Sequence, residues 1–430
     1  MAEPKQLRPA RKQAIEKAFK ELWAALFTTP VHLDSALSKQ PKHLKSVLAQ
    51  VIHPILLRPS SMGEALGIGI APGEPWSLPQ AEIARWRPAW LIAERLYEML
   101  ASGAMEPQPA LEDFPPGMTA EWESSWGRER VYEVAQTLAC EPPLSLRASR
   151  TVGAEALLRG LNAESKLPVK SERSAISPVG VRLSGYTPVL GSDWFRRGAF
   201  EIQDEGSQAM ALFALWPELF GYLLQSAPGK LTSRISAHPA SIKLPEDVPA
   251  WNVVDACAGA GGKTLAFADA MKGKGRVYSY DTSEKKLQAL RRRATHAGLN
   301  NIQAVPLKRG AEKDAIKKFR RRADVVLVDA PCSGWGVLRR NPDIKWRQGP
   351  EVLDRMPGIQ AEVLDLYCDL VGPRGRLVYG VCTFRKAETV SVVESFLARH
   401  PEFEARQGGF LGPDSCDGFF MQLFVRRPAK

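Results

Sequence analysis

Along the first hundred residues the apolar positions recur every three or four places. Ile15, Phe19, Leu22, Trp23 and Leu26 form one such series, and Leu44, Val47, Leu48, Val51 and Ile52 form another. That period puts each series on one face of a helix, so the pattern predicts a helical N-terminal domain over 1–118. Pro107, Pro109, Pro115 and Pro116 interrupt it between Glu106 and Met118, a stretch that reads as a linker closing that domain. From Pro142 onward the period changes. Leu144, Leu146 and Ala148 alternate as in a strand, a helical run follows from Gly153 to Asn162, and Val179 to Leu183 is again strand-like. These predict a small α+β subdomain over 119–200. A helix from Gln208 to Leu215 opens the remainder, and the polar, proline-containing stretch from Ser226 to Ala250 reads as a surface insertion.

After residue 250 short apolar runs alternate with helical stretches. Val253 to Ala256, Val277 to Tyr280, Asp324 to Val328 and Arg376 to Tyr379 are the predicted strands. Apolar strands alternating with helices signal a doubly wound, mostly parallel α/β sheet, assigned to 201–430.

Composition narrows the class. With 430 residues, 44% of them hydrophobic, the chain can bury cores for two or three domains. The formal charge of +11, from 58 basic against 47 acidic residues, favours a polyanionic partner. Arginines gather at Arg291, Arg292 and Arg293, at Arg320, Arg321 and Arg322, and at Arg339 and Arg340, which suggests a basic groove. The six cysteines show no CxxC spacing and little nearby histidine, so neither a zinc site nor a disulfide scaffold is expected, and no metal. Residues 1–27 are charged throughout, and the apolar run from Leu22 to Phe27 is too short for a signal or a membrane span. The expectation is a cytoplasmic protein with no membrane partner.

The first chemical signal is the run from Val253 to Thr264, in which a strand leads through Asp255, Ala256, Cys257, Ala258, Gly259, Ala260, Gly261 and Gly262 to Lys263. A glycine turn of this kind lets a ligand approach the backbone at a helix N-terminus. A phosphate-binding loop would need glycine where Cys257 stands, and a dinucleotide loop starting at Gly259 would need glycine where Thr264 stands. Asp281 ends the next strand, where a carboxylate can accept hydrogen bonds from ribose hydroxyls. No basic neighbour is placed to hold a 2'-phosphate, so a nucleoside such as S-adenosylmethionine suits the position; a helix N-cap at Asp281 is the structural alternative.

The second signal is a pair of cysteines. One strand ends in Asp329-Ala330-Pro331-Cys332-Ser333-Gly334-Trp335-Gly336 and runs on to Trp346; a later one ends in Tyr379-Gly380-Val381-Cys382-Thr383. In a doubly wound sheet such strand ends open on one crevice, so two thiols and a carboxylate are expected to converge beside the cofactor.

With these residues in view, the chain resembles the RsmB/Nop/Sun family of RNA cytosine-C5 methyltransferases over about residues 142–427. The likeness rests on Pro142 to Ala148, on Gln203-Asp204-Glu205-Gly206-Ser207-Gln208, on the glycine loop and on the two cysteine blocks. It implies a seven-stranded Rossmann-like methyltransferase sheet that binds S-adenosylmethionine through Cys257, Ala258, Gly259, Ala260, Gly261, Gly262, Lys263, Asp281 and Asp329. It further implies that Cys382 attacks carbon 6 of cytosine, that Cys332 helps expel the enzyme after transfer, and that Asp329 and Lys263 serve the base pocket. The implied partner is RNA, ribosomal before transfer RNA, acted on by a monomer, and the N-terminal helices resemble a NusB-like RNA-binding domain.

The chain departs from the family in places. Ala260 stands where proline is usual, Lys308-Arg309-Gly310-Ala311-Glu312 replaces a Gly-Asp adenine contact, Glu388-Thr389-Val390 replaces Glu-Asn-Glu, and Trp335 replaces a small residue. Two other readings follow. A DNA cytosine methyltransferase would use Pro331-Cys332 as its nucleophile, but too little chain follows Cys382 for a target-recognition segment. A non-catalytic RNA-binding assembly factor would fit the altered motifs, but both cysteines are kept.

Overall fold

The computed structural model describes residues 9–427 except 29–31, 67, 69, 71–73, 79, 103–109, 165–170, 184–187, 221–222, 225–241, 309 and 414–415. Residues 106–109 of the expected linker and 226–241 of the expected insertion therefore lie outside the described residues.

The chain divides into two compact units, Met1–Glu141 with Val337–Leu353, and Pro142–Gly336 with Asp354–Lys430. The first is helical. Ile15, Phe19, Leu22, Trp23 and Leu26 on the Pro9–Thr28 helix meet Leu48, Val51 and Ile52 on the Lys42–Leu57 helix in one buried cluster. The apolar spacing along each helix faces that cluster, as its period requires.

The expected boundary at 118 is corrected by the structure. Pro115 and Pro116 do not end a domain; they start the Pro116–Trp126 helix, where a missing N–H costs nothing, and Met118 and Trp122 on it are buried. Just before it, the buried carboxylate of Asp113 accepts hydrogen bonds from the backbone of Ser60, Ser61 and Ala110. Residues 119–141 thus belong to the helical unit. So does Val337–Leu353, a segment 200 residues downstream in the pattern of the other domain. Trp346 explains why: its ring lies 4.6 to 6.0 Å from those of Trp76, Trp23, Phe27 and Trp86, and its Nε1 donates to Leu56 O at 2.8 Å.

The second unit holds two sheets. β1 (Leu144–Ala148), β2 (Ser171–Arg173), β3 (Gly180–Leu183) and β4 (Phe200–Ile202) form an antiparallel sheet in the order β2-β3-β1-β4. The Ala154–Ala163 helix covers it with Leu157 and Leu161. β5 (Asn252–Asp255), β6 (Arg276–Asp281), β7 (Ile302–Pro306), β8 (Ala323–Asp329), β9 (Val371–Val381), β10 (Phe403–Leu411) and β11 (Phe419–Arg426) form the second sheet, in the order β10-β11-β9-β8-β5-β6-β7. β5 to β9 run parallel, while β11 pairs antiparallel with β9 and β10. This is the doubly wound, mostly parallel seven-stranded sheet expected from the sequence. Its central strands carry continuous apolar runs, Val253 and Val254 in β5 and Val325 to Val328 in β8, because helices cover both faces.

The expected division at residue 200 does not separate compact units. Arg147 on β1 is buried and donates to Gln203 Oε1 and to Asp269 Oδ2, each at 2.8 Å, which ties the small sheet to the Gly262–Ala270 helix. No described helix is long and apolar enough to cross a membrane. The arginine clusters disperse into separate roles: Arg291 pairs with Glu284, Arg293 with Glu201, and Arg339 is buried in the helical unit.

Within the helical unit Lys345 is buried, and its Nζ donates to Leu57 O and Asp113 O, each at 2.6 Å. Burial pulls its pKa down to about 7, with Asp113 opposing the shift and Arg58 adding to it. An unfolded lysine titrates near about 10.4, so between those values the unfolded chain holds a proton that the folded unit lacks. This group therefore makes stability rise with pH across that window, and the gain is lost as pH falls toward 7. Lys345→Met removes the group. The rise in melting temperature between about pH 7 and about pH 9 is expected to be smaller in the variant than in the parent; equal rises in both would contradict this.

Candidate active site

Because β5, β6, β8 and β9 are parallel, their C-terminal ends share one edge of the sheet, and the turns beyond them carry the residues singled out from sequence. At the end of β5 the loop is fixed to its neighbours: Ala256 N donates to Leu327 O and Ala258 N to Tyr280 O, both at 2.9 Å. Gly259 and Gly261 have φ of +54° and +91°, values that favour glycine. A side chain at Gly261 would also collide with Leu290, so the turn is required on two counts. The Gly262–Ala270 helix starts there, and Thr264 on its first turn donates to Asp255 Oδ2 at 2.6 Å and pairs with Ser279 Oγ at 2.9 Å. Asp255 is buried and its pKa is pushed up to about 6, by burial first and by Asp329 and Asp281 in addition, while the Thr264 hydrogen bond opposes the rise.

Asp281 at the end of β6 takes Gly259 N on Oδ2 at 2.8 Å and Ser283 N on Oδ1 at 2.7 Å. It therefore holds the glycine loop and braces the following helix, whose N-cap is Ser283 rather than Asp281. One donor per oxygen leaves each oxygen a further lone pair. Cys257 lies among Asp255, Asp281 and Asp329, and burial followed by those three carboxylates pushes its thiol well up, which disfavours a thiolate there.

The cysteine turns meet on the same edge. Cys332 Sγ and Cys382 Sγ are 3.2 Å apart, and both residues are half-buried. Lys263 Nζ donates to Asp329 Oδ2 at 2.6 Å, joining the glycine loop to the β8 end. Burial is the largest influence and opposes the Lys263 charge, yet the charge and hydrogen bond of Asp329 together with Asp255 and Cys382 outweigh it and raise the ammonium's pKa above its ordinary value. Cys332 is raised well above the usual thiol range, by its hydrogen bond with Cys382 first, then by burial and by the charges of Cys382 and Glu388. Every residue proposed from sequence, from Cys257 to Lys263 together with Asp281, Asp329, Cys332 and Cys382, thus lies at this one strand edge, on a strand end, in the turn beyond it or on the first turn of the following helix. Trp335 is buried, with the Arg385 guanidinium 5.1 Å from its ring centre. Among the described residues no cluster of histidine, cysteine and carboxylate has the makings of a metal site.

Two residues that sequence reasoning passed over hold the turns in place. Gln360 is buried on the Pro350–Tyr367 helix and donates to Pro331 O at 2.9 Å. Glu388, noted only as part of an altered motif, is fully buried and accepts from Ser333 N at 2.8 Å. Nothing in the local sequence marks Gln360; for Glu388 the signal was its place six residues after Cys382.

Residues 244–420 match the family described as 16S rRNA methyltransferase RsmB/F. The chain is 31% identical over 291 residues to the probable ribosomal RNA small subunit methyltransferase B of Bacillus subtilis (strain 168), an alignment covering 67% of this chain and 57% of that protein. It is 38% identical over 169 residues to ribosomal RNA small subunit methyltransferase B of Thermus thermophilus, covering 39% and 40% of the two chains. The chain thus spans well under two thirds of the length of these relatives. Among solved structures, NSun6 from Pyrococcus horikoshii with SFG shares the fold, with a TM-score of 0.58 at 15% identity over 74% of this chain and 99% of that one. A methyltransferase homolog from the same organism does so with a TM-score of 0.56 at 18% identity, over 77% and 97%. The glycine loop, the paired cysteine turns and these matches place residues 244–420, as a methyltransferase domain, in the RsmB/Nop/Sun family.

Proposed function

We propose that this protein is an RNA cytosine-C5 methyltransferase, with S-adenosylmethionine as methyl donor and ribosomal RNA as substrate. The observation that carries the reading is the 3.2 Å approach of the Cys332 and Cys382 sulfurs on the edge that also holds the glycine loop. A methyltransferase acting on a heteroatom has no use for two thiols at its reacting centre. Carbon 5 of cytosine does, because it is a poor nucleophile until a thiolate adds at carbon 6.

The residues present fit the cofactor. The glycine loop leaves open space where a side chain at Gly259 would project, and Asp281 keeps acceptor capacity for ribose hydroxyls. Cys257 to Lys263, Asp281 and Asp329 would hold the cofactor. When bound, S-adenosylmethionine supplies an electrophilic methyl group. The protein supplies the rest. Cys382 sulfur bonds to carbon 6, which moves the ring electrons to carbon 5 and makes it an enamine carbon. Asp329, held by Lys263, hydrogen-bonds the base edge. After carbon 5 has been methylated, water takes its proton, the electrons of that bond restore the carbon 5 to carbon 6 double bond, the carbon 6 to sulfur bond breaks, and Cys382 leaves as a thiolate that the Cys332 S–H hydrogen-bonds. A base that must present its ring face to Cys382 is single-stranded or flipped out of its stack.

The two cysteines should fail differently. Cys382→Ala is expected to abolish both methylation and adduct, whereas Cys332→Ala should accumulate protein covalently attached to RNA, seen as a shifted band on a denaturing gel. Normal turnover by both variants would refute the assignment. For the cofactor, Asp281→Ala is expected to weaken S-adenosylmethionine binding at least about tenfold by calorimetry, since it removes charged-acceptor hydrogen bonds and the Gly259 anchor. If the unaltered protein shows no affinity for S-adenosylmethionine, the assembly-factor reading takes its place.

A further inference from the structure

We propose that Glu388 is the positioning residue of the sulfur pair, a buried clamp that holds the Pro331–Ser333 turn against the Cys382–Arg385 turn. The proposal rests on the reading of Cys332 and Cys382 as the reacting thiols. Glu388 is 0% exposed, and three donors from three separate segments converge on its carboxylate. Oε2 accepts from Ser333 N at 2.8 Å and from Gln360 Nε2 at 2.9 Å, and Oε1 accepts from Arg385 Nη1 at 3.2 Å. Gln360 Nε2 also donates to Pro331 O at 2.9 Å, so the peptide before Cys332 and the amide after it hang from one linked pair of side chains. On the other side, Tyr379 OH donates to the Glu388 carbonyl at 2.7 Å, which fixes Glu388 to the strand that ends just before Cys382.

Three weaker links run parallel to this clamp. Ser333 Oγ and Thr383 Oγ1 are 2.7 Å apart, Gly336 N donates to Cys382 O at 2.9 Å, and Arg385 lies over Trp335. All of them join the same two turns. Only an ionised carboxylate offers acceptors to three donors without presenting a donor of its own. A glutamine has the same shape but must turn an NH2 toward Arg385 or Gln360, so it breaks one arm of the clamp. Low dielectric makes that loss costly.

A fixed negative charge beside Ser333 has a second effect: it disfavours another negative charge on Cys332. Arg385 and Tyr379 surround Glu388, while Lys263 and Asp329 lie on the Cys382 side. Cys332 thus keeps its proton while S–H can donate to the Cys382 sulfur 3.2 Å away. Holding the two sulfurs at that separation and keeping them chemically unequal are two results of one carboxylate.

The test reads Cys332 directly. The full chain, with neither RNA nor methyl donor, is alkylated with iodoacetamide across a pH series, and the Cys332 peptide is quantified by mass spectrometry. In Glu388→Gln the Cys332 profile is expected to move to lower pH, raising its alkylation at neutral pH at least about fivefold as the thiolate fraction grows. Methyl transfer by that variant should lose at least about tenfold in kcat while KM for RNA stays within about twofold. A folded Glu388→Gln protein with an unchanged Cys332 profile overturns the proposal. If that variant does not fold, Gln360→Met cuts the Pro331 arm and leaves the charge; it is expected to lower kcat at least about fivefold at constant KM. Full kcat in folded Gln360→Met also overturns it. Alkylation needs no substrate, so a shifted Cys332 profile alongside indifferent cysteine variants would keep the clamp and remove the proposed function instead.

Discussion

The parallel pairing of β8 with β9 is the constraint from which the site follows. Val326 pairs with Leu377, Leu327 with Val378 and Asp329 with Gly380, so the two strands finish in register and their turns start level. That register brings Cys332 and Cys382, fifty residues apart in sequence, to sulfur contact. β5, parallel to β8 on its other side, sets the glycine loop on the same edge, and Lys263 closes the gap to Asp329. A shift of one residue in the β8 to β9 register would turn the slipped strand's side chains to the opposite face and part the sulfurs.

The edge is unusually polar for something so enclosed. Asp255, Glu388, Gln360, Thr264 and Thr383 are all buried beneath the turns. Buried polar groups are costly unless partnered, and here several of the hydrogen bonds run between turns rather than within one. The network therefore does for the loops what the ladder does for the strands: it leaves them one arrangement. The chain leaves this lattice at Gly336, contributes Val337–Leu353 to the helical unit, and returns at Asp354.

How much of this can be read from sequence depends on whether the determining contacts are local. β5, β6, β8 and β9 stand out because each is an apolar run capped by a chemical motif. β7 and β10 lie at the sheet edges, where the apolar signal is diluted; β10 carries Arg406 and Gln407 on exposed positions, and no alternating pattern marks it in the sequence. The domain boundary was misread because proline both breaks helices and begins them, and Pro116 begins one. The return of Val337–Leu353 to the helical unit could not be seen, since the partners of Trp346 lie some three hundred residues earlier. In the site, the glycine loop, Asp281, Asp329 and the cysteines carry motif spacing. Gln360 does not: it sits on a helix with no periodic mark, and only the fold brings it to Pro331.

The measurement that bears most directly on the sulfur pair uses RNA carrying 5-fluorocytosine, in which fluorine replaces the proton that must leave carbon 5. Incubated with the protein and S-adenosylmethionine and then digested, the covalent complex should yield a peptide in which Cys382, and not Cys332, carries the methylated fluoronucleotide. A nucleotide attached to Cys332, or no adduct with an RNA that the protein otherwise methylates, would contradict the account.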